Sequence, residues 1–210
     1  MIDLGYISTY LPILPFLTGV LAFKHLSFVQ RKLLILITVS VCAEFSNYIG
    51  GKYLGSNMPI FHIYTWLEIS IIYWIIGSML NGRLKFISNI IILSFLIFSG
   101  LNVIWTESLF VFNSAQSYVG GICSILFCLL YFAQVMLEAE VEQIEKEPLF
   151  ILASSWLIYY AGTLFVFILG DKILTDDQLH LWSFHSIINI ILNIGYLTVL
   201  WMGIRKSRLS

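Results

Sequence analysis

The stretch "PIFHIYTWLEISIIYWIIGSML", residues 59–80, determines the fold class of this protein. It contains one histidine, His62, and one carboxylate, Glu68, in a run that is otherwise almost wholly apolar. The hydrocarbon core of a bilayer is about 30 Å thick and requires about 20 mostly apolar residues per helix. The stretch therefore predicts a transmembrane helix that carries a histidine and a glutamate.

The rest of the chain has the same character. Of its 210 residues, 59% are hydrophobic and 11% are charged, and the mean hydropathy is +0.91, a balance that ordinary soluble domains do not have. We expect an all-α, polytopic membrane protein in which residues 1–210 form a single domain of seven transmembrane helices. The predicted helices run approximately from Tyr6 to Phe23, Leu33 to Ile49, Pro59 to Leu80, Phe86 to Trp105, Gln116 to Met136, Leu149 to Leu169, and Trp182 to Ile204.

The lysine and arginine residues indicate the orientation, because short loops rich in them stay on the cytoplasmic side. With seven spans and the N-terminus outside, only Lys52 and Lys172 of the 11 basic residues lie outside. The first segment lacks the basic leader of a secretory signal, so we expect a retained helix. These features predict an integral membrane protein, with the lipid bilayer as its partner and the C-terminus in the cytoplasm.

Polar side chains inside the predicted helices mark a candidate site. A helix rises about 1.5 Å per residue, which places Glu68 near the midplane and His62 near the outer surface. On the seventh helix three polar residues are spaced by four and form one stripe. We expect an outward-opening polar pocket. Its candidate ligand- or ion-binding residues are Glu44, Asn47, His62, Glu68, His185, Asn189 and Asn193.

The two carboxylates need neutralisation, because an ionised carboxylate inside a bilayer is costly and normally faces a partner or a water-filled cavity. None of the seven predicted segments contains lysine or arginine. Glu44 and Glu68 are therefore expected to be protonated, paired with His62 or His185, or bound to a cation.

A purely structural role is the alternative, in which these polar groups hydrogen-bond the helices together. Within the third helix, Tyr64 or Thr65 can reach Glu68 at spacings of four and three residues. Either His62 or His185 can form an interfacial hydrogen bond instead of binding a metal.

Two resemblances rest on these motifs. "HIYT" followed by a glutamate, together with a seventh helix that carries a histidine and spaced asparagines, resembles uncharacterised small seven-helix membrane proteins of bacteria, which implies no activity. Ser40 with Glu44, and "HSIIN" at residues 185–189, are similar in outline to the intramembrane hydrolases that include alkaline ceramidases and the progestin and adiponectin receptors. The second resemblance implies zinc on His62, His185 and Glu68, although Asn189 stands where that family has a histidine, and asparagine is a poor zinc ligand.

Other cofactors and partners have no support in the sequence. A retinal protein needs a lysine in its seventh helix, and the predicted seventh helix has none. The sequence contains neither a P-loop nor a Gly-x-Ser-x-Gly motif. We therefore expect no retinal and no nucleic-acid partner.

The segment "LEAEVEQIEKEP", residues 137–148, concentrates acidic side chains on the predicted cytoplasmic side. Its composition favours a helix that prolongs the fifth span and ends at Pro148. Glu138, Glu142 and Glu145 are candidate docking residues for a basic cytoplasmic protein, and the alternative is a solvated helix end.

Three functions are compatible with this pattern. The first is a non-enzymatic binding or sensory bundle that signals to a cytoplasmic partner. The second is a small transporter or ion-conducting protein, and the third is an intramembrane metal-dependent hydrolase. The polar residues stop near the middle of the membrane, which favours the first function.

Overall fold

The computed structural model describes residues 4–53, 55–138, 143–168 and 179–208, which form a bundle of α-helices. Short 3-10 turns lie at Phe23–His25 and Ile144–Lys146. The helices are α1 (Leu4–Tyr10), α2 (Ile13–Leu21), α3 (Phe28–Tyr53), α4 (Met58–Gly77), α5 (Gly82–Trp105), α6 (Ser114–Glu138), α7 (Pro148–Ile168) and α8 (Leu179–Arg208).

Most of these helices have the length and composition of membrane spans. Among the described residues, six stretches are helical, apolar and long enough to cross a bilayer, with α1 and α2 together forming one of them. Residues 148–164 form a shorter apolar helix. The predicted all-α class is confirmed, and the bundle is compatible with a polytopic membrane protein.

The first pass through the bundle is broken, although the sequence predicts one helix from Tyr6 to Phe23. Proline has no backbone N–H and its ring collides with the preceding turn. Pro12 and Pro15 therefore interrupt the hydrogen-bond ladder, and the chain continues through a tight turn in which the Leu14 amide donates to the Leu11 carbonyl at 3.0 Å.

α3 begins at Phe28, five residues before the predicted start at Leu33, because a capping box lies in front of it. The Ser27 amide donates to Gln30 Oε1 at 2.8 Å, and the Gln30 amide donates to Ser27 Oγ at 3.4 Å. This reciprocal pair satisfies donors at the helix start that have no partner within the helix. Gln30 Nε2 also donates to the Val199 carbonyl, which ties the start of α3 to α8.

From α3 onwards, helices that follow one another in the chain run antiparallel, whereas the packed pair α4 and α6 runs parallel. α4 packs on α3, α5 and α6, α7 packs on α6 and α8, and α2 packs on α3 and α8. α1 lies against α8, where Asn189 Nδ2 donates to Ser8 Oγ at 2.8 Å. We define the upper end of the bundle as the end at which α3, α5 and α7 finish and α4, α6 and α8 begin.

Two glutamines join α6 to α4 near the two ends of α4. Gln116 Nε2 donates to the His62 carbonyl at 3.0 Å, and Gln134 Nε2 donates to the Met79 carbonyl at 2.8 Å. At about 3.6 residues per turn, their spacing corresponds to about five full turns, so both side chains lie on one face of α6. This pair fixes the position of α6 along α4.

The lower half of the bundle is closed by apolar packing. Eight of the side chains that are almost completely buried there come from α3, α4 and α8. They are Leu33, Leu36, Ile37, Ile72, Ile75, Ile76, Val199 and Leu200. α7 and α8 approach closely where Gly195 faces Ser155, and a Cβ atom built on Gly195 would lie 2.8 Å from the Ser155 Cβ. Small residues permit such close approaches between membrane helices.

Lys32 is buried near the lower end, and its ammonium group caps α4. Lys32 Nζ donates to the Trp74 carbonyl at 3.0 Å and to Ser78 Oγ at 2.8 Å. It also lies 4.1 Å from the centroid of the Phe28 ring and 4.5 Å from a ring of Trp74. A cation at a helix C-terminus and over aromatic rings is favourable.

Replacement of Lys32 by methionine should lower the free energy of unfolding by about 1–2 kcal/mol, because the cap and the cation–π contacts are lost. Thermal unfolding of the purified protein in detergent measures this change. Lys24→Met, at an exposed position before α3, is the control and should leave the midpoint unchanged. Equal effects of the two substitutions would contradict the assigned role of Lys32.

Candidate functional site

A cavity of about 190 Å³ lies in the upper half of the bundle. Its walls are formed by α3, α4, α7 and α8, with Pro12 from the break between α1 and α2 and with residues that precede and begin α6. Another concavity, of about 420 Å³, lies beside residues 103–110, and the described residues that line it carry no charge. The first cavity is therefore the candidate site.

Five of the residues predicted for the site line this cavity. Glu44 and Asn47 come from α3, Glu68 comes from α4, and His185 and Asn189 come from α8. Glu44 is exposed whereas Glu68 is half-buried, so Glu44 lies where the cavity opens. The structure thus brings together polar residues that are far apart in the sequence.

The other two predicted residues do not line the cavity. Asn193 is buried, and its Nδ2 donates to the Asn189 carbonyl at 2.9 Å, with Asn189 Oδ1 at 3.1 Å. It therefore supports Asn189 from one turn below.

His62 is 1% exposed and joins three parts of the chain. Its Nδ1 is 2.7 Å from Gln116 Oε1, and its Nε2 is 3.2 Å from the Val111 carbonyl oxygen. Because Gln116 Nε2 donates to the His62 carbonyl, the Gln116 Oε1 atom is left to accept from the ring. This is the interfacial hydrogen-bonding role that the sequence allows.

Residues 106–113, which we call the strap, connect α5 to α6 over the cavity. The Asn113 side chain lies in the cavity wall, and its Nδ2 donates to Thr65 Oγ1 at 2.8 Å and to the Phe61 carbonyl at 3.2 Å. The Phe112 ring also lines the cavity, with its centroid 6.3 Å from that of Phe61. The strap is therefore fastened to α4 at the upper end.

Glu68 forms the floor of the cavity and accepts a hydrogen bond from the Tyr64 hydroxyl at 3.0 Å. This is one of the two intrahelical contacts predicted for it. Thr65 does not make the other contact, because its hydroxyl donates to the Phe61 carbonyl at 2.9 Å.

Tyrosine side chains of α7 form the wall opposite α3. The Tyr159 hydroxyl lies 3.3 Å from His185 Nε2, and the two rings are nearly perpendicular neighbours. Tyr160 is 3% exposed and its hydroxyl lies beside the Glu68 carboxylate, without a well-formed hydrogen bond to it. These two tyrosines, Asn113 and Ser117 are absent from the sequence-based prediction, in which Ser40 appears only in the hydrolase resemblance and Thr65 only as a contact of Glu68. The spacing of Tyr159 and Tyr160 in an apolar segment gives no sign that they face a cavity.

The zinc ligands implied by the hydrolase resemblance are not brought together. His62 lies outside the cavity wall and is bound to Gln116, whereas His185 and Glu68 line the cavity. Across residues 4–53, 55–138, 143–168 and 179–208, no group of three histidine, cysteine, aspartate or glutamate side chains could hold a metal ion. The donor set on these residues does not fit zinc.

The candidate docking residues lie at the lower end. Glu138 is exposed at the end of α6, where its Oε1 is 3.4 Å from Asn81 Nδ2, and Glu145 is exposed in the turn before α7. Glu142 lies outside the described residues.

Comparisons of the chain with protein families, with curated proteins and with solved structures found no match. The function is therefore inferred from the cavity itself.

Proposed function

We propose that this chain is a seven-helix protein of a bacterial cytoplasmic membrane that binds a small ligand in an outward-opening cavity, without enzymatic chemistry. The N-terminus lies outside in this proposal. The observation that supports it is the convergence of Glu44, Asn47, Glu68, His185 and Asn189 on one cavity. Ionisable side chains within membrane helices mark ligand or ion sites, because their desolvation is otherwise too costly.

A binding function is favoured over conduction by the packing below the cavity. Glu68 is the lowest carboxylate of the cavity, and Ile72 and Ile75, one and two turns further along α4, are at most 1% exposed. A conducting or transporting state requires a polar path through this layer. The tight apolar packing of these two isoleucines below Glu68 supports a binding function.

Transmission towards the cytoplasm would follow α7 and α8. Trp156 is fully buried one turn below the cavity wall, and its Nε1 donates to the Tyr196 hydroxyl at 2.8 Å. A ligand that displaces Tyr159, Tyr160 or His185 would therefore act on helices that are tightly joined beneath it. Glu138 and Glu145 at the lower end provide an acidic surface for a basic cytoplasmic partner.

Cysteine labelling tests the access to the cavity. Ala43 lines the cavity, whereas Cys42 is exposed but lies outside the cavity wall, and Cys123 and Cys128 are buried. We expect a membrane-impermeant trimethylammonium thiosulfonate, applied outside intact cells, to modify Ala43→Cys faster than the wild-type protein. The wild-type protein, in which Cys42 is exposed outside the cavity wall, is the matched control.

The same labelling on inside-out vesicles tests the orientation. Modification of Ala43→Cys from the cytoplasmic face at an equal rate would contradict the outward opening. A rate no faster than that of the wild-type protein on either face would contradict an accessible cavity and, with it, the proposed function.

A further inference from the structure

The chemistry of the cavity wall restricts the class of ligand, an inference that rests on the proposed function. Among the described residues, the wall contains two carboxylates, Glu44 and Glu68, and no lysine or arginine side chain. The buried Lys32 caps α4 near the opposite end of the bundle, and Lys52 is exposed at the end of α3. The described wall therefore holds no lysine or arginine to compensate the two carboxylates.

The hydrogen-bonding groups of the wall have a surplus of acceptors. Asn47 Oδ1 is buried and has no hydrogen-bond partner among the described residues. Glu68 receives the Tyr64 hydroxyl on one oxygen. Buried polar groups normally have partners, so a ligand with several N–H donors satisfies these acceptors.

The Tyr160 hydroxyl is a second group whose hydrogen bonding a ligand can complete. The side chain is only 3% exposed, lines the cavity and lies beside the Glu68 carboxylate, its hydrogen-bonding neighbour, without a well-formed hydrogen bond to it. A polar ligand group held by Glu68 lies within reach of this hydroxyl and completes its hydrogen bonding.

The remaining walls are aromatic. Phe61 and Phe112 lie at the strap, and Tyr64, Tyr159 and Tyr160 lie around Glu68. Aromatic faces attract organic cations and also cover alkyl groups. A volume of about 190 Å³ is below the range of about 300–1,000 Å³ for sites of drug-sized ligands.

We propose that the cavity binds a small organic ammonium compound, with its charged N–H donors between Glu68 and Asn47 and its alkyl part against the rings of Phe61 and Phe112. Glu44, at the opening, attracts the cation into the cavity. Where the two carboxylates are ionised, they repel an anionic ligand, and a neutral ligand does not compensate their charge.

Binding of n-butylammonium to the full-length protein in lipid nanodiscs tests this inference. A ligand that binds the folded state but not the unfolded state raises the unfolding temperature, and the rise grows with ligand concentration. We expect n-butylammonium to raise it and to slow the modification of Ala43→Cys. n-Butanol and butyrate, of similar size but neutral and anionic, should do neither.

The carboxylate variants locate the site. Glu68→Gln should weaken n-butylammonium binding by about tenfold or more, because the ammonium loses its charged partner. Glu147→Gln, an exposed position before α7 and outside the cavity wall, should leave the affinity unchanged. Should Glu68→Gln not fold, Glu44→Gln provides the same test at the opening, where weaker binding is again expected.

The outcomes separate this inference from the proposed function. Equal stabilisation by n-butanol, or by sodium chloride at the same concentration, would overturn the organic ammonium class. A thiosulfonate reagent that carries an anionic sulfonate group is a further test. If it modified Ala43→Cys as fast as the trimethylammonium reagent does, the organic ammonium class would also be overturned, whereas the accessible cavity would stand. Absence of any labelling above the wild-type rate would overturn the proposed function as well.

Discussion

Replacement of Gly195 by valine is expected to lower the free energy of unfolding by about 3 kcal/mol or more, at or beyond the upper range for overpacked cores. A Cβ atom at this position would lie 2.8 Å from the Ser155 Cβ, with the Ser155 hydroxyl oxygen closer still. Valine adds two methyl groups to this collision. The helices α7 and α8 must therefore separate to accommodate the side chain.

Thermal unfolding in detergent, followed by size-exclusion chromatography, measures this loss. Gly100→Val is the matched control, because a Cβ at Gly100 of α5 meets no atom within 4 Å, and it should have little effect. Ser155→Gly should restore stability to Gly195→Ala, because it removes the atoms that collide. If Ser155→Gly did not restore stability, the collision between α7 and α8 would not be the cause of the destabilisation.

Gln116→Leu is expected to release the strap. The substitution removes the acceptor of His62 Nδ1 and the donor to the His62 carbonyl, and the His62 side chain is buried. Each unsatisfied buried group costs about 1–3 kcal/mol, so a loss of about 2 kcal/mol or more is expected. His62 also contacts the Val111 carbonyl, so residues 106–113 should lose part of their attachment to α4.

Hydrogen exchange measured by mass spectrometry locates this effect. We expect faster exchange in peptides covering residues 106–113 of Gln116→Leu, with little change around residues 78–81. Gln134→Leu should give the reverse pattern, because Gln134 accepts from the Asn81 amide at 2.7 Å and donates to the Met79 carbonyl. Identical exchange patterns in the two variants would exclude a local role for Gln116.

Periodicity and length predict much of this fold, because a membrane helix must be apolar over a fixed distance. The boundaries are less predictable. "SFVQRK" is more polar than a typical membrane helix, yet Ser27 and Gln30 cap each other and Lys32 reaches the end of α4. The break at Pro12 can be anticipated from the chemistry of proline, although the hydropathy of the segment indicates one helix.

The sequence identifies the ionisable residues of the candidate site, because a charge inside a membrane is costly, but it does not identify the uncharged residues. Glu44, Glu68 and His185 stand out because ionisable groups are rare in membrane helices. Tyr160 does not stand out, because tyrosine is common in apolar cores and the direction of its side chain depends on the rotation of α7 about its axis. His62, like His185, is a histidine in an apolar segment. Its contacts with Gln116 and with Val111 of the strap nevertheless hold it outside the cavity wall.

The depth of Glu68 has an electrical consequence. Glu68 lies about 15 Å along α4 from Met58, at about 1.5 Å per residue, which is about half of a hydrocarbon core of about 30 Å. One charge crossing the whole membrane potential changes free energy by about 2.3 kcal/mol per 100 mV. An ammonium ligand that reaches Glu68 from outside would gain about half of this free energy. Its affinity would therefore rise about sevenfold per 100 mV. Occupancy of the cavity should therefore rise when the cell is energised and fall when the membrane is depolarised.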